Sequence, residues 1–444
     1  MENSITLVGK YTKAEIFAKT VEEGVYTQVY DIINNPAFRD KKVVLMPDVH
    51  VGASGPCGLV AEIGDWICPE HIGVDIGCSV TMMMLDGFIP EDKLVLLEHR
   101  VKQAVPMGFN LHERTVIDEK DFFKFLGTEF MKARTLWPEV FDIDHLPNVV
   151  TEKWIGKQLK KLGMEPGVFY KSLGTIGGGN HFIEYGESKL NGAITMHFGS
   201  RNLGVKVCKY WMKKTTNPMT KAESQKVAIE FKKEWIRTHK SDMHGFNEAL
   251  KKEMQERKKN FIKGYLTGED MKGYLADMVF AQAYAKYNHK TVKDIISKIL
   301  SKMYLPKIDK VITCTHNYID FYDHYIRKSS ISAHEGEEVI VPLNMRDGTI
   351  FGVGKGNECW MNSCSHGAGR KMSRSEAKKN ITLEEFQKSM EGIVTTSVDE
   401  NTIDESPMAY KDTDEIIETI QDTIDILAVF IPKISWKASE DPQK

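Results

Sequence analysis

Five side chains of the kinds that hold a transition metal recur where short β-like runs break into turns. They are Asp75 and Cys78 in "HIGVDIGCSV" (71–80), His181 in "GTIGGGNHFIEYG" (174–186), His197 in "TMHFGSRNLG" (195–204) and His316 in "CTHNYI" (314–319). One carboxylate, one thiolate and three imidazoles make a mixed O/S/N set that suits Mn, Fe or Zn and is too rich in soft donors for Mg alone. Five donors exceed one tetrahedral site, so the set implies two adjacent ions with a shared ligand. Taken singly, each residue has a plainer reading: Asp75 as a turn cap, Cys78 as a small core residue, each histidine as a satisfied core imidazole.

Anion chemistry stands beside these donors. Four glycines before Asn180 allow close backbone approach and aim several N–H groups at one place, as a phosphate cradle requires; the alternative is a tight turn. No Gly-Lys-Ser/Thr follows and no GxGxxG opens a helix, so the run is neither a Walker loop nor a dinucleotide fingerprint. Arg201 can fork onto a phosphate, or sit as a surface arginine beside a core histidine. In "CWMNSCSHGAGRKMSRSEAKK" (359–379), His366 precedes a Gly-Ala-Gly turn leading into an expected helix with Arg370 and Arg374. That placement reads more as a nucleophile or acid/base group than as another ligand.

The elements that position these residues follow from local pattern. Over 40–90, "KKVVLMP", "CGLVAEI", "DWICP" and "VTMMML" read as strands between Gly, Pro and Asp turns. Residues 91–165 have helical spacing, and two strand-and-loop units follow around His181 and His197. Residues 205–303 read as a helical insertion. Within it, 206–298 hold 21 Lys plus Arg against 11 Asp plus Glu, a net of +10 that leaves about −13 elsewhere, since the whole chain carries −3. Such a block is either a nucleic-acid contact surface or a solvated helical face. From 311 to 374 β-like runs return, and the tail from 381 reads as amphipathic helical stretches. The expected architecture is α+β, a single body over 1–444 with the basic helical insertion inside it.

Composition excludes little but is consistent. Apolar residues at 41% and charged residues at 27% are ordinary for a soluble globular protein. Seven scattered cysteines without CxxC pairs suit reduced thiols, and the absence of an apolar run or leader leads to an expected cytoplasmic location with no membrane association.

In order along the chain, "MPDVHVG", "GVDIGC", "GTIGGGNHFIE", "HFGSRNLG", "HNY" and "SCSHGAGRKMSR" closely resemble the RtcB family of GTP-dependent RNA ligases, from about residue 40 to the C-terminus. The resemblance implies sheets around a deep manganese and guanylate site. It also implies an enzyme that joins RNA 3′-phosphate or 2′,3′-cyclic phosphate ends to 5′-hydroxyl ends in RNA repair or tRNA splicing. By motif position, Asp75, Cys78, His181, His197 and His316 become ligands of two Mn2+ ions bridged by Cys78, and His366 becomes the histidine guanylylated by GTP. Guanylate contacts are implied for Asn180, His181, Phe182, Ile183, Glu184, His316, Asn317, Pro342, Leu343, Asn344, Met345, Thr349, His366, Gly367, Ala368, Gly369 and Lys437. Arg201, Lys328 and Arg370 become candidates for RNA phosphate, and Asp48 and His50 belong to the surroundings of the ligands or the RNA path. The family's partners imply an archease-type activator, and the expected state is a monomer.

Two departures bear on guanylate affinity and guanine preference. "VPLNMRDGT" (341–349) stands where the family has a small-residue "PGSMG" turn, and Lys437 is followed by Ala438 where the family has Lys-Gly. The altered turn motivates one rival to the ligase, a ligation-deficient metal- and RNA-binding homologue; a second rival is a metal-dependent cyclic phosphodiesterase that would not need His366, and the retained "SHGAGR" weighs against both.

Overall fold

Two β-sheets meet at the point where the chain passes from Thr315 to Asn317. The computed structural model describes residues 4–215, 221–239, 243–259, 262 and 264–438. A seven-stranded antiparallel sheet runs in the order Glu338–Asn344, Gly348–Gly354, Ile424–Lys437, Phe182–Glu187, Gly192–Phe198, Ser79–Leu85, Ile308–Thr315. A six-stranded sheet is ordered Ile5–Val8, Lys13–Ile16, Val43–His50, Cys57–Glu62, Tyr325–Lys328, Asn317–Asp320, with one parallel pairing between Lys13–Ile16 and Val43–His50. His316 lies between the last strand of one sheet and the edge strand of the other. The fold is thus α+β, as expected.

Helices occupy 91–165 as the spacing predicts: Glu91–Ala104, Glu119–Leu136 and Glu152–Leu162. Their ends are written locally. Asp118 accepts from the Lys120 and Asp121 N–H groups, and Thr151 caps the third helix, which stops at left-handed Gly163. The described residues of 205–303 are also largely helical, in Asn202–Thr215, Lys221–Thr238, Phe246–Lys259 and Gly268–Lys302. The last of these is buried along most of its length, because Tyr274, Met278 and Tyr284 enter one hydrophobic core and Val292, Ile296 and Leu300 another. Its polar residues reach toward the site. His289 bridges Thr81 Oγ1 and the Phe198 carbonyl, both at 2.8 Å, while Asn288 holds Gly174 N and Thr175 O at 2.7 and 2.9 Å.

Two segments differ from the sequence expectation. "DWICP" forms only an isolated bridge between Ile67 and Leu266. The tail holds helices Leu383–Ser389 and Thr413–Ile420 but ends in the 14-residue strand Ile424–Lys437, inside the larger sheet. Pro432 disguised it: proline is normally excluded from inner strands, and here the pairing register shifts between Pro432 and Ile434, a bulge that removes the need for an N–H. Trp436 anchors this strand, 1% exposed, with Nε1–H donating to Glu98 O at 2.9 Å. Trp436→Ala is expected to cost about 3–5 kcal/mol in denaturant unfolding. No helix among the described residues is long and apolar enough to cross a membrane.

Candidate metal and nucleotide site

Antiparallel pairing explains why distant residues converge. His181 precedes strand Phe182–Glu187, His197 is near the end of Gly192–Phe198, Cys78 precedes Ser79–Leu85, and His316 follows Ile308–Thr315. These four strands are neighbours in that order and alternate in direction, so start, end, start and end fall on one edge of the sheet. The registers Phe182↔His197, His197↔Val80 and Ser79↔Thr315 fix the alignment. Asp75 joins through its turn, where Cys78 N donates to Asp75 O at 3.2 Å and His316 N to Cys78 O at 3.0 Å.

The donors fall into two triads that share Cys78: Asp75, Cys78 and His181, and Cys78, His197 and His316, the ligand atoms of each within 4.8 Å of one another. Nε2 of His181 lies 2.8 Å from Asp75 Oδ2 and 3.6 Å from Cys78 Sγ, and the Nε2 atoms of His197 and His316 are 3.1 Å apart. Donors around one ion at about 2.0–2.3 Å are separated by no more than about 4.6 Å, so both triads have the scale of a metal site. Protonation agrees. Burial, reinforced by the crowding of neighbouring imidazoles, pushes His197 and His316 well below the usual imidazole value, leaving lone pairs free to bind metal. Burial and the Asp75 charge push the Cys78 thiol well up, so its thiolate forms only beside a cation. The donor set therefore fits two divalent ions.

A cavity of about 400 Å³ opens beside the second triad. His197, Asn180, Phe182, Glu184, Pro342 to Met345, His366 to Gly369, and Lys437 line it. His366 is held in one orientation: its Nδ1–H and backbone N–H both donate to Asp48 Oδ2, at 2.7 and 3.2 Å. Nε2 is left free, and the ring lies 4.8 Å, centroid to centroid, from that of His316. Gly369 makes this turn possible, with φ +72° and a position where a Cβ would come within 2.9 Å of the Asp48 carbonyl carbon.

Several expected contacts act at one remove from the cavity. Ile183 is core, and Thr349 is buried and donates to Glu184 Oε1. Asn317 braces the backbone, donating to Asp75 O at 3.2 Å and accepting from Ser329 N at 2.9 Å. Arg201 donates to Thr175 Oγ1 and Gly108 O and lines a second cavity with Asp75, His181 and Gly177 to Gly179. Lys328 is buried on the Gly55, Ser54 and Glu70 carbonyls, and Arg370 donates to Met372 O and pairs with Glu405. Neither lysine nor arginine projects freely. Cys314 and His324 are structural, Cys314 in the core and His324 stacked on Trp137 at 4.7 Å.

The substituted turn "LNMRDG" closes the hairpin between Glu338–Asn344 and Gly348–Gly354. Asn344 Oδ1 accepts from Arg346 N and Asp347 N, and the added charges pair with each other at 2.7 Å. Sequence patterns missed Glu405, Tyr410 and Ser435, while Arg374, singled out beside the His366 turn, pairs with Asp404 and Glu405. Glu405 takes Lys437 Nζ at 2.7 Å together with Arg374, Arg370 and Tyr410. Against its burial, these cations hold the carboxyl far below the usual range. A lone glutamate in a motif-poor tail read as helical gave no signal.

Glu184 supplies a pH signature. Burial raises its carboxyl to about 7, against the opposing Thr349 bond and Lys437 charge. Between its unfolded value near 4.5 and about 7 the folded state holds the extra proton, so this group lowers stability progressively as pH rises through that window. Glu184→Gln is expected to be more stable than the parent at pH 8, by up to about 3 kcal/mol, with the gap closing toward pH 4.5 in chemical denaturation.

The sequence profile of the family described as "tRNA-splicing ligase RtcB" matches residues 28–438. The chain is 27% identical over 429 residues to the RNA-splicing ligase RtcB of Escherichia coli, covering 92% of each. It is 25% identical over 476 residues to the tRNA-splicing ligase RtcB of Nanoarchaeum equitans, covering 92% of this chain and 90% of that one.

Proposed function

The chain belongs to the RtcB family, and from that premise we propose that it is a GTP-dependent, Mn2+-dependent RNA ligase. Its substrates are RNA ends bearing a 3′-phosphate or 2′,3′-cyclic phosphate and a 5′-hydroxyl. The observation that carries this reading is His366, fixed by Asp48 with Nε2 free, on the wall of a cavity that adjoins the second of two metal-competent triads. A cavity of about 400 Å³ is in the range of small-molecule sites, roughly 300–1,000 Å³.

Two Mn2+ ions held by Asp75, Cys78, His181, His197 and His316 would neutralise phosphate charge during attack. His366 Nε2 donates its lone pair to the α-phosphorus of GTP, the P–O bond to pyrophosphate breaks, and a phosphoramidate forms. The ring becomes cationic because Nδ1 keeps its proton, and Asp48 balances that charge. An oxygen of the RNA 3′-phosphate then takes the GMP, breaking the N–P bond. Finally the 5′-hydroxyl attacks the activated 3′-phosphorus, the P–O bond to GMP breaks, and GMP leaves as the hydroxyl proton passes to its phosphate or to solvent. Asn180, Phe182, Glu184, Leu343, Asn344 and Lys437 bound the guanylate, and the basic helices of 205–303, within the single 1–444 body, offer the RNA a positive surface.

The charged "RDG" of the substituted turn favours the ligation-deficient rival, but Arg346 and Asp347 pair with each other. The direct test supplies 5′-hydroxyl RNA together with RNA ending in a 3′-phosphate or, in a parallel reaction, a 2′,3′-cyclic phosphate, with GTP and Mn2+. A joined product is expected; opened 3′-phosphate accumulating from a cyclic end without joining would identify a phosphodiesterase instead.

A further inference from the structure

The mechanism above leaves one reactive pair unused. Cys57 and His50 are register partners across adjacent strands, both partly exposed and both on the wall of the His366 cavity. His50 Nδ1–H donates to Asp48 O at 2.8 Å, which leaves Nε2 for the sulfur. The connecting loop 51–56 is strapped over the pair. Gln28 bonds both the carbonyl and the N–H of Gly52, at 2.7 and 3.2 Å, and Lys328 Nζ donates to Gly55 O at 2.9 Å. Gly52 passes so close that a Cβ there would lie 3.2 Å from Cys57 Sγ.

The charged surroundings favour a thiolate. Burial alone would raise the thiol, but its register partner His50, with Lys328 behind it, brings Cys57 down to about 6, and the same pairing lifts His50 to about 9. Asp48 faces His50 from its own strand, Glu22 and His366 line the same cavity, and burial keeps His71 beside the loop neutral by pushing it down to about 3. Elsewhere burial drives Cys68 up to about 11 and Cys208, Cys314 and Cys364 up to about 12.

We propose that Cys57 is a redox-modification site, a thiolate–imidazolium pair on the cavity wall that peroxides convert to a sulfenic acid, closing the cavity to nucleotide. The sulfur attacks one peroxide oxygen, an S–O bond forms and the O–O bond breaks. The departing hydroxide takes the His50 proton as water, so sulfur is oxidised by two electrons and peroxide reduced by two. A thiol reductant reverses the step through a mixed disulfide. The closure rests on the nucleotide reading of the cavity; the modification itself does not.

Hydrogen peroxide treatment of the full chain, trapping with dimedone and peptide mapping of all seven cysteines tests the site. Cys57 is expected to be labelled first. Its alkylation by iodoacetamide should be half-maximal near pH 6, and His50→Gln should slow it about 10-fold or more at pH 7. Peroxide should abolish the protein–GMP adduct in the parent, reversibly with dithiothreitol, while the treated-to-untreated ratio in Cys57→Ser stays near one. First labelling at Cys78 or Cys359, an alkylation midpoint near the ordinary thiol value of about 8.5, or equal sensitivity of Cys57→Ser overturns the proposal. Cys57 labelling in a protein that forms no adduct even untreated would keep the modification site, remove the closure and overturn the ligase reading.

Discussion

Cys78→Ala is expected to leave the protein folded but unable to retain either metal ion. Cys78 is the only donor common to the two triads among the described residues, so its loss reduces both at once. Changes in groups that merely orient metal ligands cost about 10–100-fold in affinity. Removing a direct donor from two coupled sites should exceed that for each ion. Metal content after dialysis, measured by mass spectrometry, should fall from two equivalents to near zero, and adduct formation with it. His316→Ala should lose metal and adduct as well, because it deletes an Nε2 donor of one triad. His324→Asn is the contrast: the residue stacks on Trp137 away from the ligands and sits at φ +58°, which asparagine tolerates. It should keep both ions.

The second large effect belongs to Asp48. Asp48→Asn keeps an oxygen that can accept from His366 Nδ1–H and the backbone N–H but removes the negative charge that balances the ring once Nε2 carries phosphorus. The rate of guanylylation, followed by rapid quench, should fall roughly 10²–10⁴-fold, with GTP affinity little changed because Asp48 does not line the cavity. Asp48→Ala removes both acceptor and charge and should be slower still. Equal losses in affinity and rate would show instead that Asp48 shapes the pocket.

The sequence revealed the site more fully than the scaffold. Each metal-competent residue stood where a β-like run ends, all but His316 with a glycine within two residues, and antiparallel pairing of four such runs brings those ends to one edge. His366 was legible for a related reason, since its turn needs small residues to lie on Asp48. What stayed hidden has no local pattern. Asp48, in "PDVH", gave no sign of which side chain it would hold, because its partner lies 318 residues away. Glu405 acts through Arg370, Arg374 and Lys437, cations gathered from two other segments. Ile424–Lys437 read as part of a helical tail because Pro432 argues against an inner strand and only its bulge permits one. Lys328 looked like a phosphate ligand by position, but tertiary folding turned it inward onto loop carbonyls.

The central claim is that His366 Nε2 becomes covalently guanylylated. The most direct measurement incubates the protein with Mn2+ and GTP labelled at the α-phosphate, then examines the denatured chain for label. An acid-labile, alkali-stable adduct that maps to His366 and is absent from His366→Ala is the predicted result. No adduct, or one that persists in His366→Ala, would contradict it.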